Sequence, residues 1–301
     1  MGGDLRSLKR LVGEAADINC VVDDLGCSAL VLSCYFTHYE CAKYLLSMGA
    51  DFELADNEGV TPLISTAARG GGDQLKIVKM LVEKGCVTDK VNNGGCSALL
   101  IATVQEHYDV ARYLLLKGSN VHLADERGYS PIYNASENGD VRMVSLLIDH
   151  KCNVNQASED GNIPLLSAIA GGHSDVVRIL IKHGADIHHT AGNYGLFPLY
   201  ASCGGCGFGY EDIVDILLEN DVNVNQALSS DGSTSLLIVI EKGYFSIVKK
   251  LINASADMHQ ASHHSFPLYI ASWMNHEDIV DYLLEKQVKT GECESSEGRR
   301  W

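Results

Sequence analysis

The sequence predicts an all-α solenoid: stacked helix-turn-helix units carrying β-hairpin-like fingers. Three observations carry that prediction. A short tetrad recurs along the chain, its clearest copy being Thr61-Pro62-Leu63-Ile64. The first residues of its copies are Ser28, Thr61, Ser97, Ser130, Ile163, Phe197, Thr234 and Phe266, separated by 33, 36, 33, 33, 34, 37 and 32 residues. A period that regular belongs to an array of small units and not to one closed globule. A glycine stands two residues before every tetrad except the last, which has His264. Finally, each tetrad opens an apolar stretch that is followed, after a polar or glycine-containing break, by a second one.

Each element of the unit has a local reason. The glycines are Gly26, Gly59, Gly95, Gly128, Gly161, Gly195 and Gly232, and they suit a turn that needs positive φ. Ser or Thr opens five of the tetrads, where its hydroxyl caps the first helical amides. Proline at the next position loses no useful N–H. After the break, as in Asn138-Gly139-Asp140, a second helix is expected; Val141 to Asp149 has Val144, Leu147 and Ile148 on one face. It stops at Gly-Ala-Asp or a relative, such as Gly49-Ala50-Asp51, Gly118-Ser119-Asn120 and Gly184-Ala185-Asp186.

Turn, short helix, tight loop, second helix and extended finger, in that order, resemble the ankyrin repeat, with its period of about 33 residues and its Thr-Pro-Leu-His-x-Ala motif. The resemblance runs from Leu5 to Val288. It implies an N-terminal half repeat or cap over 1–22 and eight repeats over 23–289. Their approximate bounds are 23–55, 56–91, 92–124, 125–157, 158–191, 192–228, 229–260 and 261–289, with a disordered tail over 290–301. The family's tetrad histidine is missing: Val31, Ile64, Leu100, Tyr133, Leu166, Tyr200, Leu237 and Tyr269 stand there. That histidine ties neighbouring loops in the family, so its absence leaves the fold expectation in place and lowers the expected stability.

Composition narrows the function classes. The net charge is −16, with much of the acidity on the turns, as at Asp23, Asp56, Glu58, Asp125 and Glu126. This argues against nucleic acid and against an anionic membrane surface, and it favours a partner protein with a basic surface. No run of 18 apolar residues is present, and Met1 to Arg10 carry no apolar signal segment. The expected compartment is therefore the cytoplasm, or the nucleus, and the expected state a monomer. In that setting the 10 cysteines read as reduced thiols.

Two loops depart from the repeat: Arg69 to Gln74 in the second unit and Cys203 to Tyr210 in the sixth. The latter contains Cys203-x-x-Cys206, half of a zinc site or a redox pair. A second such pair for zinc, and the βαβ setting of a redox motif, are both absent. The glycines at 204, 205, 207 and 209 lack the Gly-Lys-Ser/Thr of a phosphate loop. No cofactor is expected, and no catalytic signature appears.

What remains is surface. The resemblance implies binding by the fingers and the exposed ends of the first helices. Carried over, the helix-end candidates are Tyr35, Phe36, Arg69, Val104, Gln105, Trp273 and Met274, joined on the fingers by Tyr129 and Tyr194. Aromatic anchors of this kind carry binding energy. Finger asparagines of such arrays also resemble substrates of an intracellular asparaginyl hydroxylase, with a leucine eight residues upstream. Asn19, Asn155 and Asn225 fit, with Leu11, Leu147 and Leu217. The expected function is a non-catalytic scaffold or adaptor binding a partner protein on a concave finger-and-helix surface. The alternative is a regulatory or substrate-recruiting arm of an enzyme whose catalytic domain lies outside this chain.

Overall fold

Helices begin where the sequence supplies a cap. Ser28, Thr61, Ser97, Ser130 and Thr234 each sit in extended backbone, and each side-chain oxygen accepts the N–H three residues on. Ile163, Phe197 and Phe266 open their helices without a side-chain cap, and Pro164, Pro198 and Pro267 follow them. The computed structural model describes residues 5, 6, 9, 17–21, 23–205, 211–262 and 265–290.

The chain divides into two units, residues 1–159 and 160–301. In the first, four helix pairs follow one another: α1 (Ala29–Tyr35) with α2 (Tyr39–Ser47), α3 (Pro62–Ala68) with α4 (Gln74–Glu83), α5 (Ala98–Val104) with α6 (Tyr108–Leu116), and α7 (Pro131–Glu137) with α8 (Val141–Asp149). In the second, the pairs are α9 (Pro164–Ala170) with α10 (Ser174–Lys182), α11 (Pro198–Tyr200) with α12 (Glu211–Leu218), α13 (Ser235–Lys242) with α14 (Phe245–Asn253), and α15 (Pro267–Trp273) with α16 (Glu277–Thr290). Within the first unit α1, α3, α5 and α7 pack side by side, and each also packs against its own partner. Leu30, Leu63, Leu99 and Ile132 form the fully buried row along these first helices, and Leu45, Leu81, Leu114 and Leu147 the matching row on the second helices.

The turn glycines adopt the left-handed backbone, with φ between 70° and 80° at all seven positions. Isolated antiparallel bridges at Val21–Ser28, Val91–Ser97, Ala191–Leu196 and Ala227–Thr234 close hairpin-like fingers. Consecutive fingers are joined by main-chain bonds. Asn57 N donates to Leu25 O (3.0 Å), Asn93 N to Glu58 O (2.9 Å), Glu126 N to Gly94 O (3.1 Å) and Glu159 N to Arg127 O (2.9 Å). The second unit has the same arrangement at Gly192 N to Asp160 O (3.1 Å) and Ser229 N to Tyr194 O (3.2 Å). This ladder ties neighbouring fingers without any tetrad histidine.

Three local readings need correction. Gln74 is not part of the loop insertion. It is the first residue of α4, buried, and its Nε2 donates to Thr66 O at 3.0 Å and Ala67 O at 3.3 Å, satisfying the end of α3. Ile148 is only half-buried; Met143 and Leu146 fill the core face of α8 with Val144 and Leu147. The helix α16 reaches Thr290, where the tail was expected to start, and 291–301 lie outside the described residues, as does most of 1–22.

Candidate binding surface

The fingers owe their shape to one acceptor each. Asp23 Oδ1 accepts the N–H groups of Leu25 (3.1 Å) and Cys27 (2.9 Å). Asp56 Oδ1 accepts those of Glu58 and Val60, both at 2.9 Å. Asp125 Oδ1 accepts those of Arg127 (3.0 Å) and Tyr129 (2.8 Å). Asn92 Oδ1 makes the same pair of bonds, to Gly94 N at 3.1 Å and Cys96 N at 2.8 Å. Part of the turn acidity therefore fixes the turns themselves.

Between fingers and first helices the first unit holds a groove of about 490 Å³, within the range of roughly 300–1,000 Å³ typical of ligand clefts. Its floor is Val31, Leu32, Val60, Ile64, Ala68 and Ile101. Asp23, Asp56 and Asn92 line it from the fingers, and Tyr35 and Phe36 from the end of α1. The cleft follows from side-chain size at two helix positions. The fourth residue of α1, α3 and α5 is Leu32, Ser65 and Ile101; the seventh is Tyr35, Ala68 and Val104. The middle helix thus carries small residues between larger neighbours. Ser65 Oγ moreover turns to donate to Val31 O at 3.2 Å, leaving the apolar space open.

Of the helix-end candidates, Tyr35 and Phe36 are 39% and 43% exposed and lie edge to face, centroids 5.1 Å apart. Phe36 stacks on His38. Arg69 sits over the Tyr35 ring at 5.1 Å, and its Nη1 donates to the Tyr35 hydroxyl at 3.5 Å. Val104 and Gln105 are exposed one helix further along. Tyr129 is half-buried and stacks on Tyr133, centroids 4.6 Å apart. In the second unit Tyr194 is exposed, and Trp273, 73% exposed, stacks on Tyr269 beside Met274. These last three, with Glu241, Ser265 and Ile270, line a smaller recess of about 330 Å³. The groove and its size pattern were not found from the sequence, although the residues at those two helix positions carry the signal.

Cys203, the described member of the Cys-x-x-Cys pair, is not an exposed thiol. It is fully buried in the π-turn Ala201–Gly205, where burial pushes its pKa up to about 12. A thiol held protonated is a poor ligand and a poor nucleophile. Cys206 lies outside the described residues. Among the described residues the cysteines form no disulfide. The asparagines hold neighbouring fingers: Asn19 Oδ1 accepts Asp51 N at 2.9 Å and Asn225 Oδ1 accepts Asp257 N at 2.8 Å. Asn155 is exposed.

Comparison with known proteins gives one consistent result. The family profile described as "Ankyrin repeats (3 copies)" matches residues 1–92, 49–125, 99–191 and 198–292. Among similar curated proteins is the ankyrin repeat and KH domain-containing protein mask-1 of Caenorhabditis elegans, 29% identical over 46% of this chain and 5% of its own length. The human transient receptor potential cation channel subfamily A member 1 is 31% identical over 41% of this chain and 11% of its own. The probable 26S proteasome regulatory subunit p28 of Saccharomyces cerevisiae (strain ATCC 204508 / S288c) is 29% identical over 37% of this chain and 50% of its own. The matches thus span at most half the length of these relatives.

Proposed function

The chain belongs to the ankyrin repeat family, in general a non-catalytic protein-binding module, and we propose that it is a scaffold or adaptor that holds a partner protein on the face made by its fingers and first helices. One observation supports this above the others: exposed aromatics, Tyr35 and Phe36, border an open apolar groove. Large apolar side chains left in solvent around a cleft are the usual anchors of a protein interface. Arg69, Val104 and Gln105 extend that surface in the first unit. Tyr194, Trp273 and Met274 offer a second contact in the other. Tyr129, being stacked on Tyr133, contributes the smaller share. The partner carries a basic surface, and the chain acts in the cytoplasm or nucleus as a monomer.

The test compares captures from lysate by the parent chain and by a variant with Tyr35, Phe36, Trp273 and Met274 changed to Ala, read by mass spectrometry. The variant is first shown folded by circular dichroism. A partner held by the parent and lost by the variant supports the adaptor reading; identical captures refute the assignment of these residues.

The relatives favour a second reading. Their names describe a cation channel subfamily member, a probable proteasome regulatory subunit and a KH domain-containing protein, of which the matched segments form only part. The chain would then be the recruiting or regulatory arm of a larger protein or assembly, using the same face.

A further inference from the structure

The groove of the first unit has a composition that restricts what it can hold. Its floor is apolar, widened by Ser65 and Ala68 in the middle helix. Its finger wall carries the carboxylates of Asp23 and Asp56. Those charges are not needed by the turns, because Asn92 makes the same two hydrogen bonds without one. Carboxylates beside an apolar floor act in a medium of lowered dielectric, where they attract a cation more strongly than they would in open water. The cations of this unit lie mostly elsewhere: Lys43, Lys76, Lys79, Arg112 and Arg142 are on the second helices. Of the finger cations between 50 and 130, Lys90 is occupied by Glu53, with Nζ 3.3 Å from Oε2 and 2.9 Å from Glu53 O, and Arg127 is exposed on the finger after that of Asn92. Arg69 is set at the helix-end side, over Tyr35.

We propose that this groove binds an extended segment of a partner protein in which a large aliphatic or aromatic side chain is followed or preceded closely by Lys or Arg. The inference rests on the protein-binding reading above and names the chemistry of its ligand. The apolar side chain seats over Ser65 and Ala68, between Leu32 and Ile101. The Lys or Arg pairs with Asp23 and Asp56, no more than about three residues away, roughly 10 Å of extended chain. Arg69, opposite, meets a carbonyl or carboxylate of the same segment and excludes a second cation at that end. Acidic segments and nucleic acid are repelled by the finger wall.

The experiment selects random phage-displayed peptides on the full chain, then measures the affinity of the enriched peptides by fluorescence polarisation. Three variants are compared. Leu32→Glu puts a charge on the floor. Asp23→Asn with Asp56→Asn removes the wall charges and keeps both turn acceptors, so it preserves the finger even where Leu32→Glu disturbs folding. Arg178→Ala changes only an exposed side chain on α10 of the second unit. The expected motif pairs a large apolar residue with Lys or Arg. Binding weakens about tenfold or more in Leu32→Glu and about tenfold in the double Asn variant at low ionic strength, with a flatter salt dependence. Arg178→Ala leaves it unchanged. Enriched peptides without a basic residue, or affinities indifferent to the double Asn variant, overturn the charge pairing. Peptides that bind Leu32→Glu and the parent equally, with circular dichroism unchanged, place the site outside the groove and overturn the proposal while protein binding stands. A selection yielding no sequence above background also counts against it, and the lysate comparison then decides separately whether the chain captures proteins.

Discussion

Substituting alanine at Gly95 and at Gly118 separates two reasons for a glycine. Both have left-handed backbone, with φ of 77° and 90°. A Cβ on Gly118 would meet nothing within 4 Å, whereas on Gly95 it would lie 2.9 Å from Glu126 N and 3.1 Å from both Cα and C of Asp125. The conformational cost is shared, about 1–2 kcal/mol for a residue with a Cβ. At Gly95 the obstacle is backbone of the next finger, so it cannot rotate away. The finger must shift, and Glu126 N is the donor of the ladder bond to Gly94 O. Losing that bond removes about 1 kcal/mol, and displaced packing adds to it. Gly118→Ala should therefore destabilise by about 1–2 kcal/mol and Gly95→Ala by about 2–4 kcal/mol. Urea denaturation followed by circular dichroism reads the difference, provided the two slopes agree. Equal losses, or a larger loss at Gly118, would refute the claim that close approach between fingers makes the turn glycines necessary.

Further outcomes follow from the same geometry. Phe266 is an exposed N-cap residue without a side-chain bond, where Thr61 and Thr234 supply one; Phe266→Thr should raise stability by about 0.5–1 kcal/mol, and a lowered melting temperature would contradict this. The buried thiol of Cys34 is pushed by burial from 9.0 up to about 12. Its folded-state pKa is raised, so its contribution is complete below the unfolded value and is lost as pH rises from about 9 towards about 12, at about 1.4 kcal/mol per pH unit. Denaturation midpoints of the parent should fall on this account above about pH 9, and Cys34→Ala should flatten that fall; parallel pH profiles would show that the thiol is not kept neutral. Tyr35→Ala with Phe36→Ala should change stability little, because both side chains are partly in solvent, while reducing partner capture; a large loss of stability would make them core residues instead.

The helices, the glycine turns and the five side-chain caps were legible because each depends on residues within a few positions of one another. The period then placed them along the chain. What escaped depends on side-chain contacts that the tetrad does not specify, some a few residues away and, for the groove, about one repeat of 33 residues away. Gln74 looks like loop filler beside three glycines, yet its amide closes the end of α3. Tyr129 looks like a free finger aromatic, yet Tyr133 on the following helix provides its stacking partner. The groove appears only when Ser65 and Ala68 are compared with Leu32, Tyr35, Ile101 and Val104 on the helices either side. A tetrad motif fixes the backbone of each unit but is silent on the sizes of the two outward positions that decide whether a cleft opens.

The same separation applies to charge. A finger turn requires an acceptor oxygen, and Asn92 meets that requirement as fully as Asp56 does. Counting acidic residues on the turns therefore mixes two things, an acceptor that the fold consumes and a charge that it does not. The charges at Asp23 and Asp56 stay on the groove wall after their turns are satisfied. Exchanging both for Asn should leave the melting temperature nearly unchanged while weakening attraction for a cationic ligand, an effect that added salt would imitate in the parent. If the melting temperature fell instead, the carboxylates would belong to the turns after all, and the groove would be left with its apolar floor as the only source of selectivity.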